Sequence, residues 1–455
     1  MSVTTGPSQP QPAKETPQLR DTRRKAIMAG GIGNFVEWFD FALYAQFATI
    51  IGFHFFPSDD PTASLLATFA IFAVGFLARP IGGLLFGQYG DRKGRKAALS
   101  AAVILMSAAT LGIGLTPTFA TIGVMAPVLL LAWRILQGLS AGGEYAGSGS
   151  FVVEHAPVGK RALFASINPV STALGTIGGA LVGLAVTFIV PEQALHDWAW
   201  RIPFILAGPL GLVGLYLRSK VEETPEFTAV LAAEEKNQEK SAPVVEAFRT
   251  AKARMFVIFG WAALNAVAFY ILTSYTVAYL TQRLGFSQAE ALTVYIVGLI
   301  AFTVASPIAG ILIDKYGPAA VATLSAVVLG VVVVPAFGLM ETGVITSAIF
   351  GLSIYGVVVA VIATLTPLLM VDLFPARIRY TASAVSYNLA YAVFGGTAPY
   401  LATWMVSETD NGAAPAYYLI VLSVLGVIVA LAGIRRYYRG NQIKDHEIAK
   451  VMATV

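Results

Sequence analysis

A chain of 455 residues that is 56% hydrophobic and only 12% charged, with a mean hydropathy of +0.70, is excluded from the soluble globular class. Its net charge of +4 does not point to nucleic acid, because the basic residues lie between apolar runs rather than in a patch with interleaved aromatics. The absence of cysteine excludes a disulfide framework and thiolate chemistry.

Residues 1–25, with Pro7, Pro10, Pro12 and Pro17 among Ser, Thr and Gln, predict a disordered tail. The first apolar run is too long for a signal-peptide core and contains acids, so it is expected to stay in the mature protein. Runs long enough to span a membrane recur at 26–54, 63–89, 97–115, 121–153, 161–189, 200–218, 254–282, 289–313, 319–339, 343–371, 379–406 and 415–437. The fold expected is an all-α membrane protein of twelve transmembrane helices.

A polar stretch at 219–253 divides the spans into bundles 26–218 and 254–437, and a short tail follows at 438–455. An even number of spans puts both termini on one face, and 26 of the 30 Lys and Arg residues fall on that face. By the positive-inside rule the termini, the linker and both tails are expected to be cytoplasmic.

The halves repeat. Gly87-Gln88-Tyr89-Gly90-Asp91-Arg92-Lys93-Gly94 is echoed by Gly310-Ile311-Leu312-Ile313-Asp314-Lys315-Tyr316-Gly317. Glu154, Pro157 and Arg161 are echoed by Asp372, Pro375 and Arg379 at identical spacing, and Gly178-Gly179 by Gly395-Gly396. Matches in one order and at nearly one offset argue for a duplicated six-helix unit.

Charge inside the spans marks the candidate site, because an acid or arginine in hydrocarbon persists where it faces protein or a water path. Asn34, Glu37 and Asp40 fall three apart and Tyr44 four further on, a single polar stripe expected to face inward. Glu37 and Asp40 lie roughly 18 to 23 Å along the helix from the basic boundary at Arg24 and Lys25, near mid-membrane. Arg79, Arg134 and Glu144 are the other deep charges, with Arg134, Gln137 and Glu144 on one stripe of the fourth span. The second half offers neutral groups such as Asn265, Tyr270, Tyr275, Tyr387, Asn388 and Tyr391, expected to form the far wall.

Gly-x-x-x-Asp-Arg-x-Gly-Arg-Lys at 87–96, between the second and third spans, and Arg134-x-x-Gln137-Gly138 resemble two motifs of the major facilitator superfamily. Closer words include Glu37-Trp38-Phe39-Asp40-Phe41, Arg79-Pro80-Ile81-Gly82-Gly83, Gly142-Gly143-Glu144-Tyr145, Trp200-Arg201-Ile202-Pro203-Phe204 and Leu373-Phe374-Pro375 with Arg379. These are similar to the metabolite:proton symporters, permeases for α-ketoglutarate, citrate, shikimate and proline/betaine. The resemblance implies two pseudo-symmetric six-helix bundles in the inner membrane, a proton as coupling ion, no other cofactor, no metal and a monomer.

Within that frame Asp40, Glu37, Arg134 and Glu144 are the candidates for proton coupling. Asp40 either exchanges Arg134 for a proton or pins the first helix to the fourth. Arg79 and Arg134, with Asn34, Tyr44, Gln137, Tyr270 and Asn388, are the substrate-binding candidates. Arg79 suits a planar carboxylate through paired hydrogen bonds, or is neutralised by Glu37 or Glu144 without touching substrate. The two arginines favour a di- or tricarboxylate such as α-ketoglutarate; the alternative is a zwitterion such as betaine or proline, its cation against Trp38, Tyr44 or Tyr270. Gly87, Asp91, Arg92, Gly94, Arg95, Glu154, Arg161, Asp314, Asp372 and Arg379 are expected to latch the cytoplasmic gate, less firmly in the second half, where Pro318 replaces a basic residue. Arg201 either receives an anion at the outer edge or anchors its helix there.

A transport-like receptor or membrane enzyme is a remote alternative. Gly138-Leu139-Ser140-Ala141-Gly142 has the spacing of a hydrolase elbow, but no strand precedes it and no histidine lies deep in a span. Gly83-x-x-x-Gly87, Gly143-x-x-x-Gly147 and Gly175-x-x-x-Gly179 read as close helix contacts.

Overall fold

Apolar runs of this length can satisfy their backbone in hydrocarbon only by hydrogen-bonding within themselves or by closing a barrel. In the computed structural model, every regular element among the described residues is helical. Those residues are 31, 34–83, 85–86, 95–142, 152–153, 156–157, 159–219, 243–374 and 376–439. The expectations for Gly87, Asp91, Arg92, Gly94, Glu144, Glu154 and the side chain of Arg95 fall outside them, as do tail 1–25, most of the 219–253 linker and nearly all of tail 438–455.

The helices follow the predicted spans. They are α1 (34–55), α2 (Pro61–Gly83), α3 (Arg95–Leu115), α4 (Met125–Ala141), α5 (Arg161–Ile189), α6 (Arg201–Ser219), α7 (Lys252–Arg283), α8 (Gln288–Tyr316), α9 (Pro318–Glu341), α10 (Ile345–Asp372), α11 (376–409) and α12 (Ala414–Arg439). Seven of these are long and apolar enough to cross a membrane outright; α3, α4 and α6 are shorter, and α1 and α11 are interrupted, at Phe47 and at 396–397. A short helix, Pro243–Thr250, closes the stretch read as linker.

Local chemistry starts them. Asp60 accepts from Thr62 N at 2.8 Å ahead of Pro61, and Ser287 and Glu290 form a reciprocal cap on α8. Gly317, at φ +86°, makes the reversal into Pro318.

The two halves build alike. α1 packs on α5, α2 on α4, and α3 on α4 and α6; in the second half α7 packs on α11, α8 on α10, and α9 on α10 and α12. They meet along α5 with α8 and along α2 with α11, the pairing a two-fold pseudo-symmetry requires. Glycines permit the closest approaches: a Cβ at Gly138 would collide with Gly75 O, one at Gly82 with Leu139 O, and one at Gly175 with Phe35 O.

Helix α7 is the central element, with 83% of its apolar window buried against 33% for α12. It contains two π turns, Ile271–Tyr275 and Tyr279–Arg283. Carbonyls around the first are met from neighbours: Tyr295 of α8 donates to Thr273 O at 2.8 Å, and Tyr355 of α10 to Ala268 O at 2.7 Å. Large apolar side chains such as Phe188, Ile189, Phe256 and Val331 point outward, while the charges of α1, α2 and α4 point inward.

Candidate functional site

Four of the five deep charges are described, and all are buried: Glu37, Asp40, Arg79 and Arg134 are at most 5% exposed. Arg79 follows Ala78, where α2 loosens, and its Nη2 stands 3.9 Å from Glu37 Oε1. Its guanidinium lies over Phe76 and Phe41, 4.2 and 4.7 Å from the ring centroids. Arg134 lies over Tyr44 at 4.3 Å, Phe72 at 4.7 Å and Phe41 at 5.4 Å. Arg134 Nη1 donates to Gln137 Oε1 at 2.7 Å, and Gln137 Nε2 donates to Thr110 Oγ1 at 2.8 Å.

Both arginines keep donors in reserve. Nε and Nη2 of each meet no hydrogen-bond acceptor among the described residues. Asp40 lies against Thr110, but that hydroxyl donates to Met106 O at 3.0 Å, and neither carboxyl oxygen has a hydrogen-bond partner among the described residues. The expected Asp40–Arg134 pair is therefore not formed in this conformation. The Arg79–Glu37 approach matches the alternative in which the arginine is neutralised from α1.

The predicted stripe on α1 divides among neighbours. Asn34 Nδ2 donates to Ser171 Oγ and Thr172 Oγ1, both at 2.8 Å, and ties α1 to α5. The Tyr44 hydroxyl donates to Thr68 O at 2.9 Å, although its ring still faces Arg134. Arg201 donates to Gly114 O at 2.7 Å and Thr116 O at 2.6 Å, so it caps the end of α3 rather than waiting for an anion. Ser140 donates to Ala102 O at 2.5 Å, as a helix contact and not an elbow.

The second half supplies an aromatic wall. The Tyr270 ring lies 4.9 Å from Phe76 and 5.9 Å from both Trp38 and Tyr391, and Trp38 meets Phe269 edge-on at 5.1 Å. Asn265 donates to the Tyr391 hydroxyl at 2.8 Å. Trp38 Nε1 is buried without an acceptor among the described residues. Trp38, Phe72 and Phe76 were not singled out for contact with both halves; only the high aromatic content of α1 and α2 hinted at it.

Bonds cross between the halves on both faces. On the face where α5 and α11 begin, Arg161 Nη2 reaches Asp372 Oδ1 at 2.7 Å. Asp314 accepts from Ala162 N at 2.9 Å and Leu163 N at 3.0 Å, capping the start of α5 from α8 despite the missing basic residue in its loop. Tyr438 donates to Asp372 Oδ2 at 2.6 Å and Tyr437 to Asp372 O, contacts that sequence spacing did not signal. Arg379 turns to Phe374 O at 3.3 Å. Deeper, Asn388 of α11 donates to Gly142 O at 3.3 Å. On the opposite face Gln288 donates to Gln46 O at 2.9 Å and Gln282 to Pro61 O at 3.2 Å, beside an open cleft of about 600 Å³.

A family model described as Major Facilitator Superfamily matches residues 30–399. The chain belongs to that superfamily. It is 38% identical over 415 residues to the proline/betaine transporter of Escherichia coli K12, covering 90% of this chain and 83% of that protein. The glycine betaine/proline/ectoine/pipecolic acid transporter OusA of Dickeya dadantii is 37% identical, covering 90% and 82%. Among solved structures the proton:xylose symporter XylE superposes with a TM-score of 0.72 at 18% identity, covering 90% of this chain and 95% of that one. The superfamily member described here is thus a multi-pass membrane transporter and not an enzyme.

Proposed function

We propose that the protein is a proton-coupled symporter for a small zwitterion of the proline or betaine type, bound between Arg79, Arg134 and the aromatic wall of Trp38 and Tyr270. The observation that carries this reading is a pair of buried guanidiniums with unspent donors standing inside a cluster of aromatic rings. A carboxylate satisfies the donors through charge-assisted hydrogen bonds, and a quaternary or secondary ammonium takes a ring face. The di- or tricarboxylate favoured from the arginine count alone is not what the two relatives named above carry in their names, which give proline, betaine and ectoine.

Asp40 is the proton site in this reading. A carboxyl buried with no hydrogen-bond partner and no cation against it is least costly in its neutral form, and the protonated acid makes no claim on Arg134 or on the donors of Arg79 that Glu37 leaves unused. When the proton departs, Arg134, whose guanidinium lies over Phe41 and Tyr44 of the helix that carries Asp40, would swing to answer the charge, which links proton release to loss of a carboxylate ligand. In this reading the face latched by Arg161 and Asp372 is the cytoplasmic face of a bacterial inner membrane, which the bias of basic residues supports. Alternating access then consists of breaking one set of cross-half bonds while the other holds.

The test is proton movement into proteoliposomes of the purified protein on addition of betaine, proline, α-ketoglutarate, citrate or shikimate. A signal from betaine or proline that disappears in Arg79→Ala supports the reading. A signal from the carboxylates alone would return the site to organic acids.

A further inference from the structure

The cleft on the second face lies apart from Arg79 and Arg134 and holds chemistry that central binding leaves unused. Its volume is about 600 Å³, and it is walled by Asp60 from the first half and by Tyr275, Tyr279, Trp404 and Glu408 from the second, with Arg283 and Asp410 at its edge as a pair that cancels in charge. Glu408 forms an ion pair with no cation among the described residues, whereas Asp410 is bound to Arg283 at 2.7 Å. Tyr275 is 3% exposed, and its hydroxyl makes no hydrogen bond among the described residues, so a side chain otherwise enclosed by protein presents an unspent polar atom where it lines the cleft. The Tyr275 and Tyr279 rings stand 5.4 Å apart.

The π turns of α7 explain why these rings share a side. Tyr270, Tyr275 and Tyr279 are five and then four residues apart, and a π turn accommodates the extra residue, so the three form one row. The row leads from the cleft to the ring of Tyr270 beside Trp38. Aromatic faces, an unpaired carboxylate and a free hydroxyl select an organic cation over an anion.

We propose that this cleft is an outer binding site for an organic ammonium group, which takes the cationic end of the substrate before its carboxylate reaches Arg79 and Arg134. The assignment rests on the zwitterion reading for its role in transport, but not for its chemistry. The site needs no carboxylate on its ligand.

The experiment is equilibrium binding of radiolabelled tetramethylammonium to the purified full-length protein, with betaine uptake measured in parallel. Saturable binding that weakens about three- to tenfold in Trp404→Leu and in Glu408→Gln, and is kept in Trp38→Leu, supports the outer site. Absence of saturable binding overturns it, as does binding that is lost in Trp38→Leu but kept in Trp404→Leu. Tetramethylammonium binding with the expected pattern and no betaine uptake would keep the outer site and remove the substrate reading. Betaine uptake without that pattern would do the reverse.

Discussion

Asp40 and the two arginines carry the sharpest consequences at the scale of single residues. If Asp40 holds the coupling proton, Asp40→Asn abolishes uptake driven by a pH gradient while substrate exchange across the same vesicles persists. Comparing the two fluxes checks this, and full gradient-driven accumulation in the variant would sink the assignment. Arg79→Lys keeps the charge but loses the paired geometry, so half-saturation by substrate should rise about tenfold or more, with the maximal rate less affected. Stability separates from function at Gly138, where a Cβ collides with Gly75 O. Gly138→Ala therefore costs on the order of 1 to 3 kcal/mol by forcing α2 from α4, and reads out as a lower melting temperature in detergent.

Much of this residue scale was legible beforehand, because burying a charge is costly enough that Glu37, Asp40, Arg79 and Arg134 announce an interior site. Helical spacing was a poorer guide to partners. It placed Asn34 and Tyr44 beside Glu37 and Asp40 on one stripe, but periodicity within one helix does not reveal which neighbour stands opposite. Ser171, Thr172 and Thr68 take those two polar groups instead.

Among elements, the latch joins α5, α8, α10 and α12. Asp314 accepts two backbone N–H groups and Asp372 meets Arg161, so both hold the start of α5 against the second half. A charge-assisted hydrogen bond contributes about 1.5 to 3 kcal/mol. Loss of the pair in Asp314→Ala should therefore shift the population toward opening on this face by at least about tenfold. The absence of cysteine makes the measurement direct, since a single cysteine introduced beneath the latch is the only thiol to label. Unchanged labelling would show that the cap does not hold the gate. The repeat pointed to these residues as equivalents of one another, yet not as partners, because pseudo-symmetry relates positions without saying that an arginine of one half meets the acid of the other.

For the molecule as a whole, the hydropathy profile and the internal repeat were enough to expect two bundles of six, and the described helices follow the predicted spans closely. The π turns and the open cleft were not foreseeable, since each depends on how many residues a turn holds and on how the halves are tilted. The bias of basic residues predicts cytoplasmic termini: a cysteine placed near residue 10 or residue 450 should react with a membrane-impermeant reagent only in inverted vesicles. Reaction in intact cells would reverse the assignment of faces.

The π turns of α7 also make the number of residues in that helix a functional quantity. Deleting Thr273 would let the segment rewind as α-helix with Tyr270 and Tyr275 four positions apart and the row kept, whereas deleting a residue from the regular helix before it, at 252–270, would turn everything beyond it by about 100° relative to what precedes it. Tyr275, Tyr279 and Arg283 would then face other neighbours, although each would still be present. A missing residue therefore does more damage before the π turns than within them, and an alignment gap between relatives at 252–270 would signal a different outer mouth even where every aromatic residue is retained.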